Sequence, residues 1–408
     1  MTEMTVEPYR EITFDADGDS DAAQGQALGK LAVTDLVMFA HGWNNSRSVA
    51  TRFYTRFFEP FPGLLPPGAR VGYAGVVWPS MMFTDEPIPD FGALAGVFPG
   101  REPVLGRLAA LLGQEPDSRE AFDEFGSLVR ELVDASAEGL VGDTAGATAG
   151  DVAGEGPPAF LHEDPVEVCR LFTEALDGQE PSLAIGGGLT KLWKGAKEVL
   201  RQATYYTMKR RAGTVGERGL GPVLGQLSRS SPGLRVHLVG HSMGARLIAF
   251  ALRGLPDGAR PVKSVTLLQG AFSHYAFAPS LPHEKGRSGV LRDMQARVDG
   301  PVVACYSRHD SALGVIYPLA SRMAGDSSTV VGLDRRWWAV GHDGIQAVAG
   351  TRQLTLEAAL RDGLPTGGCV NVDTASVVRR GGPPSGAHSD ILHPELARVV
   401  LAAGRVGR

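Results

Sequence analysis

The residues best placed to do chemistry in this chain are Gly240-His241-Ser242-Met243-Gly244, a G-x-S-x-G pentapeptide. A serine hydroxyl is a weak nucleophile until a neighbouring base takes its proton, and it must stand clear of the packed chain to meet a substrate. The flanking residues meet the second demand. The apolar stretch Leu234 to Val239 (LRVHLV) precedes the pentapeptide and the helix-compatible stretch Ala245 to Leu255 follows it. A sharp strand-to-helix turn would lift Ser242 above the end of the strand, with glycines removing Cβ clashes where the backbone bends. The N-terminus of the next helix would aim unpaired N–H groups and a partial positive charge at an oxyanion forming nearby. With 53 glycines in 408 residues, chance matches to such a pattern are easy, so the strand and helix around it carry the argument.

Two more constellations sit at the ends of apolar runs. Asp35 to Ala40 (DLVMFA) leads straight into His41-Gly42-Trp43-Asn44-Asn45, where the His41 ring is expected to fix the loop and the asparagines to make turn hydrogen bonds. Val302 to Tyr306 ends in Ser307-Arg308-His309-Asp310-Ser311-Ala312-Leu313. Asp310 thus falls just past the carboxyl end of a strand, where active sites of open parallel sheets gather. A carboxylate there can accept an imidazole N–H and fix its tautomer; the competing reading is a helix N-cap before Ser-Ala-Leu. Arg308 and His309 read as flanking residues on the solvent side. For the base, the chain after Asp310 offers His342, closer in sequence and flanked by Gly341, and His388, between the strand Val370 to Val372 and the helix Pro394 to Ala403. His393, immediately before Pro394, reads as a helix-entry residue.

With these motifs the sequence resembles the α/β-hydrolases, and within them bacterial serine hydrolases of esterase type with HGxNN early, HSMG in mid-chain and Tyr-Ser-Arg-x-Asp at a strand end. The matching stretches are His41 to Asn45, His241 to Gly244 and Tyr306 to Asp310, and the likeness spans about residues 30–80 and 190–400. It implies a mostly parallel central sheet flanked by helices and a triad in the order Ser242, Asp310, His388, since this fold places its histidine after the last strand. It also implies an oxyanion hole from the backbone N–H groups of Trp43 and Met243, and hydrolysis through an acyl-enzyme without cofactor or metal. Carboxylic esters, thioesters, lipid esters and amides all fit such machinery. A non-catalytic binding or scaffold protein on the same fold is the alternative.

The elements that must position these residues follow from the periodicity. Strand Asp35 to Ala40, helix Val49 to Phe58 and strand Arg70 to Trp78 open a βαβ pattern, which stalls until Leu234. The intervening Met81 to Arg107 is rich in Pro, Gly and Phe, Arg119 to Ala137 has helical spacing, and Glu138 to Pro158 reads as a poorly ordered Gly/Ala linker. The expected division is a hydrolase core of residues 1–80 and 189–408 with a cap of residues 81–188 as lid and acyl-pocket wall. Its Phe83, Phe91, Phe98, Phe122, Phe125 and Phe160 either line an apolar pocket or form a small core. Over Leu189 to Arg211, Leu192, Ala196, Val199, Ala203 and Tyr206 make one helical face. Lys191, Lys194, Lys197 and Arg201 lie off it, as a solvated face or a lipid-facing one. The alternation then resumes with strand Val262 to Leu268.

Composition narrows the classes. At 43% hydrophobic and 21% charged residues the chain is globular, and 45 acids against 40 bases give a net charge of -5, which argues against nucleic acid as a partner. Cys169, Cys305 and Cys369 are too far apart for zinc ligation and read as reduced thiols, mostly core. The acidic N-terminus from Met1 to Asp21 lacks a secretory signal and no stretch suits a spanning helix, so a cytoplasmic protein is expected. Asp90-Phe91-Gly92 spells a kinase tripeptide without its partner motifs and reads as a turn, and His283-Glu284 lacks the second histidine of a zinc protease.

Overall fold

Asp35–Ala40 is apolar at nearly every position because both faces of its strand are covered. Leu36, Met38 and Ala40 pack into one core layer and Val37 and Phe39 into the other, the period-2 alternation of a strand. The computed structural model describes residues 4–43, 45–80, 100–138, 150–152, 159–177, 188–318, 335–382 and 385–407. Its strands are β1 (Tyr9–Thr13), β2 (Asp35–Ala40), β3 (Val71–Val77), β4 (Arg235–His241), β5 (Val262–Leu268), β6 (Pro301–Tyr306), β7 (Arg352–Thr355) and β8 (Gly368–Asp373). They form one sheet in the order β1-β3-β2-β4-β5-β6-β8-β7, and every pairing is parallel. The chain is an α/β protein. Helices Met243–Ala251, Trp193–Thr214 and Gly221–Ser230 cover one face, and Arg47–Phe58, Leu356–Asp362 and Pro394–Gly404 the other.

The strands read from the sequence are present with boundaries shifted by one or two residues; β1 and β7 are additions. β1 lies in the stretch read as a polar N-terminus. Both are edge strands with little buried surface: only Ile12 of β1 is fully buried, and β7 has no buried residue. Without a covered face they carry no apolar run to read.

Within residues 81–188, helices Glu102–Gln114, Arg119–Glu138 and Pro165–Asp177 pack on one another and on the long helix Trp193–Thr214. Gly195 permits that approach, since a Cβ there would lie 1.9 Å from the Cys169 carbonyl oxygen. Phe122 stacks on Trp193 with ring centres 4.3 Å apart and Phe125 meets it edge-on, so these two phenylalanines are core. Phe83, Phe91, Phe98 and the side chain of Phe160 lie outside the described residues, as do Asn44 and Asp90-Phe91-Gly92.

The Gly/Ala linker needs a correction where it is described. In Gly150–Val152, Asp151 is 1% exposed and accepts hydrogen bonds from Arg246 Nε (3.1 Å), Tyr317 Oη (2.9 Å) and the Ser273 N–H (2.9 Å), with Lys209 Nζ 2.8 Å away. Burial alone would raise its pKa, but the charges of Lys209 and Arg246 dominate and hold it at about 2. One of the scattered acids of this Gly/Ala stretch, Asp151, is the counter-ion of two buried cations from distant helices.

Candidate active site

Ser242 joins β4 to the helix Met243–Ala251 with φ 57° and ψ −120°, a region that non-glycine residues rarely occupy. Such strain costs on the order of 1–3 kcal/mol and persists only where the surroundings enforce it. Here the Ser242 N–H donates to the Leu268 carbonyl, and the Ser242 carbonyl accepts from the N–H groups of Ala245 and Ala271, each at 3.1 Å. The glycines of the pentapeptide are required by close approach. A Cβ on Gly244 would lie 2.1 Å from the Ala40 carbonyl oxygen, and one on Gly240 2.4 Å from that of Gly244.

Ser242, His388 and Asp310 form one hydrogen-bonded chain. His388 Nε2 is 2.8 Å from Ser242 Oγ, and His388 Nδ1 is 2.8 Å from Asp310 Oδ2. Because a carboxylate only accepts, Nδ1 carries the proton and Nε2 is left to accept from the serine hydroxyl. Asp310 is fully buried, Ser242 is 6% exposed, and the His388 side chain is 16% exposed. Asp310 also accepts the Leu313 N–H through Oδ1 at 3.1 Å, so the cap and the histidine partner are one residue. The His388 loop is tied to the Asp310 loop by Ala387 N–H to the His309 carbonyl (2.9 Å) and Ala312 N–H to the Ser385 carbonyl. Gly386 makes that junction possible: its φ is +57°, and a Cβ would lie 2.5 Å from the His309 oxygen.

The rival histidines are elsewhere. His342 packs edge-on to Trp338 and against Gly314. His393 is the N-cap residue of Pro394–Gly404 and bonds Asp390, the helix-entry role expected of it. Arg308 and His309 are exposed.

The loop after β2 passes against the serine, since a Cβ on Gly42 would lie 2.9 Å from Ser242 Cβ. His41 Nδ1 is 2.8 Å from the Gly42 oxygen, its ring stacks on Trp78, and its carbonyl accepts the Trp78 indole N–H at 2.9 Å. Burial pulls the His41 pKa down to about 4, so the ring is neutral near pH 7. Asn45 makes the expected turn bonds, donating to the Gly42 and Trp43 carbonyls. Trp43 lines the same cleft as Ser242, and Met243 is the first residue of the helix, whose initial N–H groups have no intrahelical acceptor.

Two supporting residues escaped the sequence reading. Gln269, fully buried just past β5 at φ +46°, donates its amide to Asp310 Oδ2 (3.2 Å) and to the Gly341 carbonyl (3.1 Å). A lone amide closing an apolar strand beside the Asp310 strand is the signal that would have found it. His241 holds its Nε2 2.9 Å from the His388 carbonyl oxygen. Burial, and then the neighbouring His388, bring its pKa to about 3, so it is neutral and donates that hydrogen bond.

A cavity of about 70 Å³ opens over the serine, lined among the described residues by Trp43, Arg201, Gln202, Tyr205, Ala271 and Tyr317 with neighbouring loop residues. Its long wall comes from the helix Trp193–Thr214, and none of the described residues of 81–188 is among the lining. Among the described residues, no three His, Cys, Asp or Glu side chains converge as metal ligands would, and no helix is long and apolar enough to cross a membrane. The three cysteines are buried and unpaired. No family model matches this chain, and neither does any curated protein or solved structure.

Proposed function

We propose that the chain is a serine hydrolase of the α/β-hydrolase type that cleaves an ester through an acyl-enzyme. The observation that carries this reading is the unbroken chain from Ser242 through His388 to Asp310 at the carboxyl ends of β4, β6 and β8, on a strained turn facing a cleft. Ser242 Oγ attacks the ester carbonyl carbon as its proton passes to His388 Nε2. Asp310 stabilises the imidazolium, and the backbone N–H groups of Trp43 and Met243 take the oxyanion. The tetrahedral adduct collapses, the C–O bond to the alcohol breaks, and the alcohol leaves with the proton from His388. Water then repeats the sequence on the acyl-serine, releasing the acid. The proposal includes a cytoplasmic location, which three buried unpaired thiols fit, and no nucleic-acid partner. Hydrolysis of p-nitrophenyl acetate by the wild type and by Ser242→Ala tests it: wild-type turnover lost in the variant is expected, and equal turnover by both removes the assignment.

A further inference from the structure

The basic side chains along the long helix Trp193–Thr214 and the turn before it lie in different settings, Lys209 among them in the buried pairing with Asp151. Lys194 pairs with Asp177, and Lys197 lies 2.8 Å from Glu115, both partners belonging to helices packed beside it. Lys191 and Lys194 are exposed, as a solvated face requires. Arg201, one turn beyond Lys197, instead lines the cavity that holds Ser242 and His388.

Two features fit Arg201 for a ligand. Its guanidinium lies 5.3 Å over the Trp43 ring, and its Nη1 is 3.5 Å from Glu198 Oε2, so two neighbours fix its direction. Glu198 is 6% exposed and sits behind the lining rather than in it, held at 2.5 Å by Gln202 Nε2. The cleft thus faces its contents with the cation and keeps the carboxyl away. Burial also raises the Glu198 pKa. The remaining lining combines Gln202, Tyr205, Tyr317 and Ser385 with Ala271, Ala312 and Leu313.

We infer that the substrate of this site is an ester bearing an anionic group, which Arg201 binds while Ser242 attacks the carbonyl. The inference rests on the hydrolase reading. A guanidinium suits carboxylate and phosphate alike through paired N–H donors, and that shared chemistry defines the class.

The test compares p-nitrophenyl esters of matched length: hemiglutarate, its methyl-capped neutral counterpart, 4-phosphonobutyrate, butyrate and laurate. The expected result is that kcat/KM for an anionic ester exceeds that for the neutral one by about 10- to 100-fold, the span of one charge-assisted contact. The charged-to-neutral ratio falls toward one in Arg201→Met, inverts in Arg201→Glu and is partly kept in Arg201→Lys. The order of hemiglutarate and 4-phosphonobutyrate names the anion. Labelling of Ser242 by a fluorophosphonate in each folded variant separates the two claims. With Ser242 labelled, a wild type that prefers butyrate or laurate, or a ratio unmoved by Arg201→Met, overturns the substrate class and leaves the hydrolase intact. A wild type that is neither labelled nor active on any ester overturns both.

Discussion

The sheet holds two Ser–His–Asp arrays, one at each end of its strands. At the carboxyl ends, Ser242, His388 and Asp310 are linked at 2.8 Å and 2.8 Å. At the amino end of β2, His237 Nε2 is 2.8 Å from Asp35 Oδ1 and His237 Nδ1 is 3.0 Å from Ser264 Oγ. The residue types and connectivity are the same, with the two ring nitrogens exchanged. The surroundings differ. Asp35, His237 and Ser264 are at most 1% exposed, and Ser264 lies within β5 rather than on a turn. Arg235 and Thr34 also bond Asp35, which with His237 outweighs burial and holds its pKa at about 2. On the proposed hydrolase reading, a hydrogen-bonded serine, histidine and aspartate do not make a reactive site by themselves. The strained turn, the cleft and the N–H groups beside it distinguish Ser242, while the inner array ties β2, β4 and β5 together.

The comparison breaks most visibly under substitution. Ser242→Ala and His388→Ala are each expected to lower kcat by a factor of order 10⁶, by analogy with a serine protease, and the double variant to lose no more. Ser264→Ala leaves kcat within a few-fold of wild type. Stability reverses the ranking. His237→Ala removes a buried partner of a buried carboxylate and is expected to cost about 3–5 kcal/mol in denaturant unfolding, whereas Ser242→Gly relieves φ 57° and raises stability by about 1 kcal/mol. Gln269→Leu deletes the donor to Asp310 and should lower kcat about 10- to 100-fold, with KM little changed, in steady-state assays.

A smaller, graded effect comes from acid. His41 and His241 have native pKa values of about 4 and about 3, below the roughly 6.5 of an unfolded histidine. Between those limits the unfolded chain binds the extra protons, so stability is retained above pH 6.5 and lost as pH falls through that window. Each group contributes a slope of up to about 1.4 kcal/mol per pH unit. Denaturant midpoints measured from pH 7 to pH 4 should fall, and His241→Gln should flatten the decline.

How far all this was legible depends on burial. The central strands announce themselves because two covered faces demand apolar residues, and the turn at Ser242 because close approach demands glycine at 240 and 244. Asp310 and His388 were singled out from their places after β6 and β8, and the structure brings them together with Ser242. The edge strands β1 and β7 lack a covered face and left no pattern. Asp151, Gln269 and Arg201 were illegible for a different reason. Asp151 and Gln269 bond partners distant in the chain, Arg246 and Asp310, and Arg201, read by spacing as a solvated or lipid-facing residue, lines the cleft, so local spacing does not mark these settings.

The most direct measurement is covalent labelling with a fluorophosphonate, followed by peptide mass spectrometry to locate the adduct. A reactive array at the carboxyl ends and an inert one within the sheet predict a single adduct on Ser242, none on Ser264, and loss of labelling in folded His388→Ala. A folded wild-type protein that stays unlabelled, or an adduct on any other serine with Ser242 unmodified, would contradict the account.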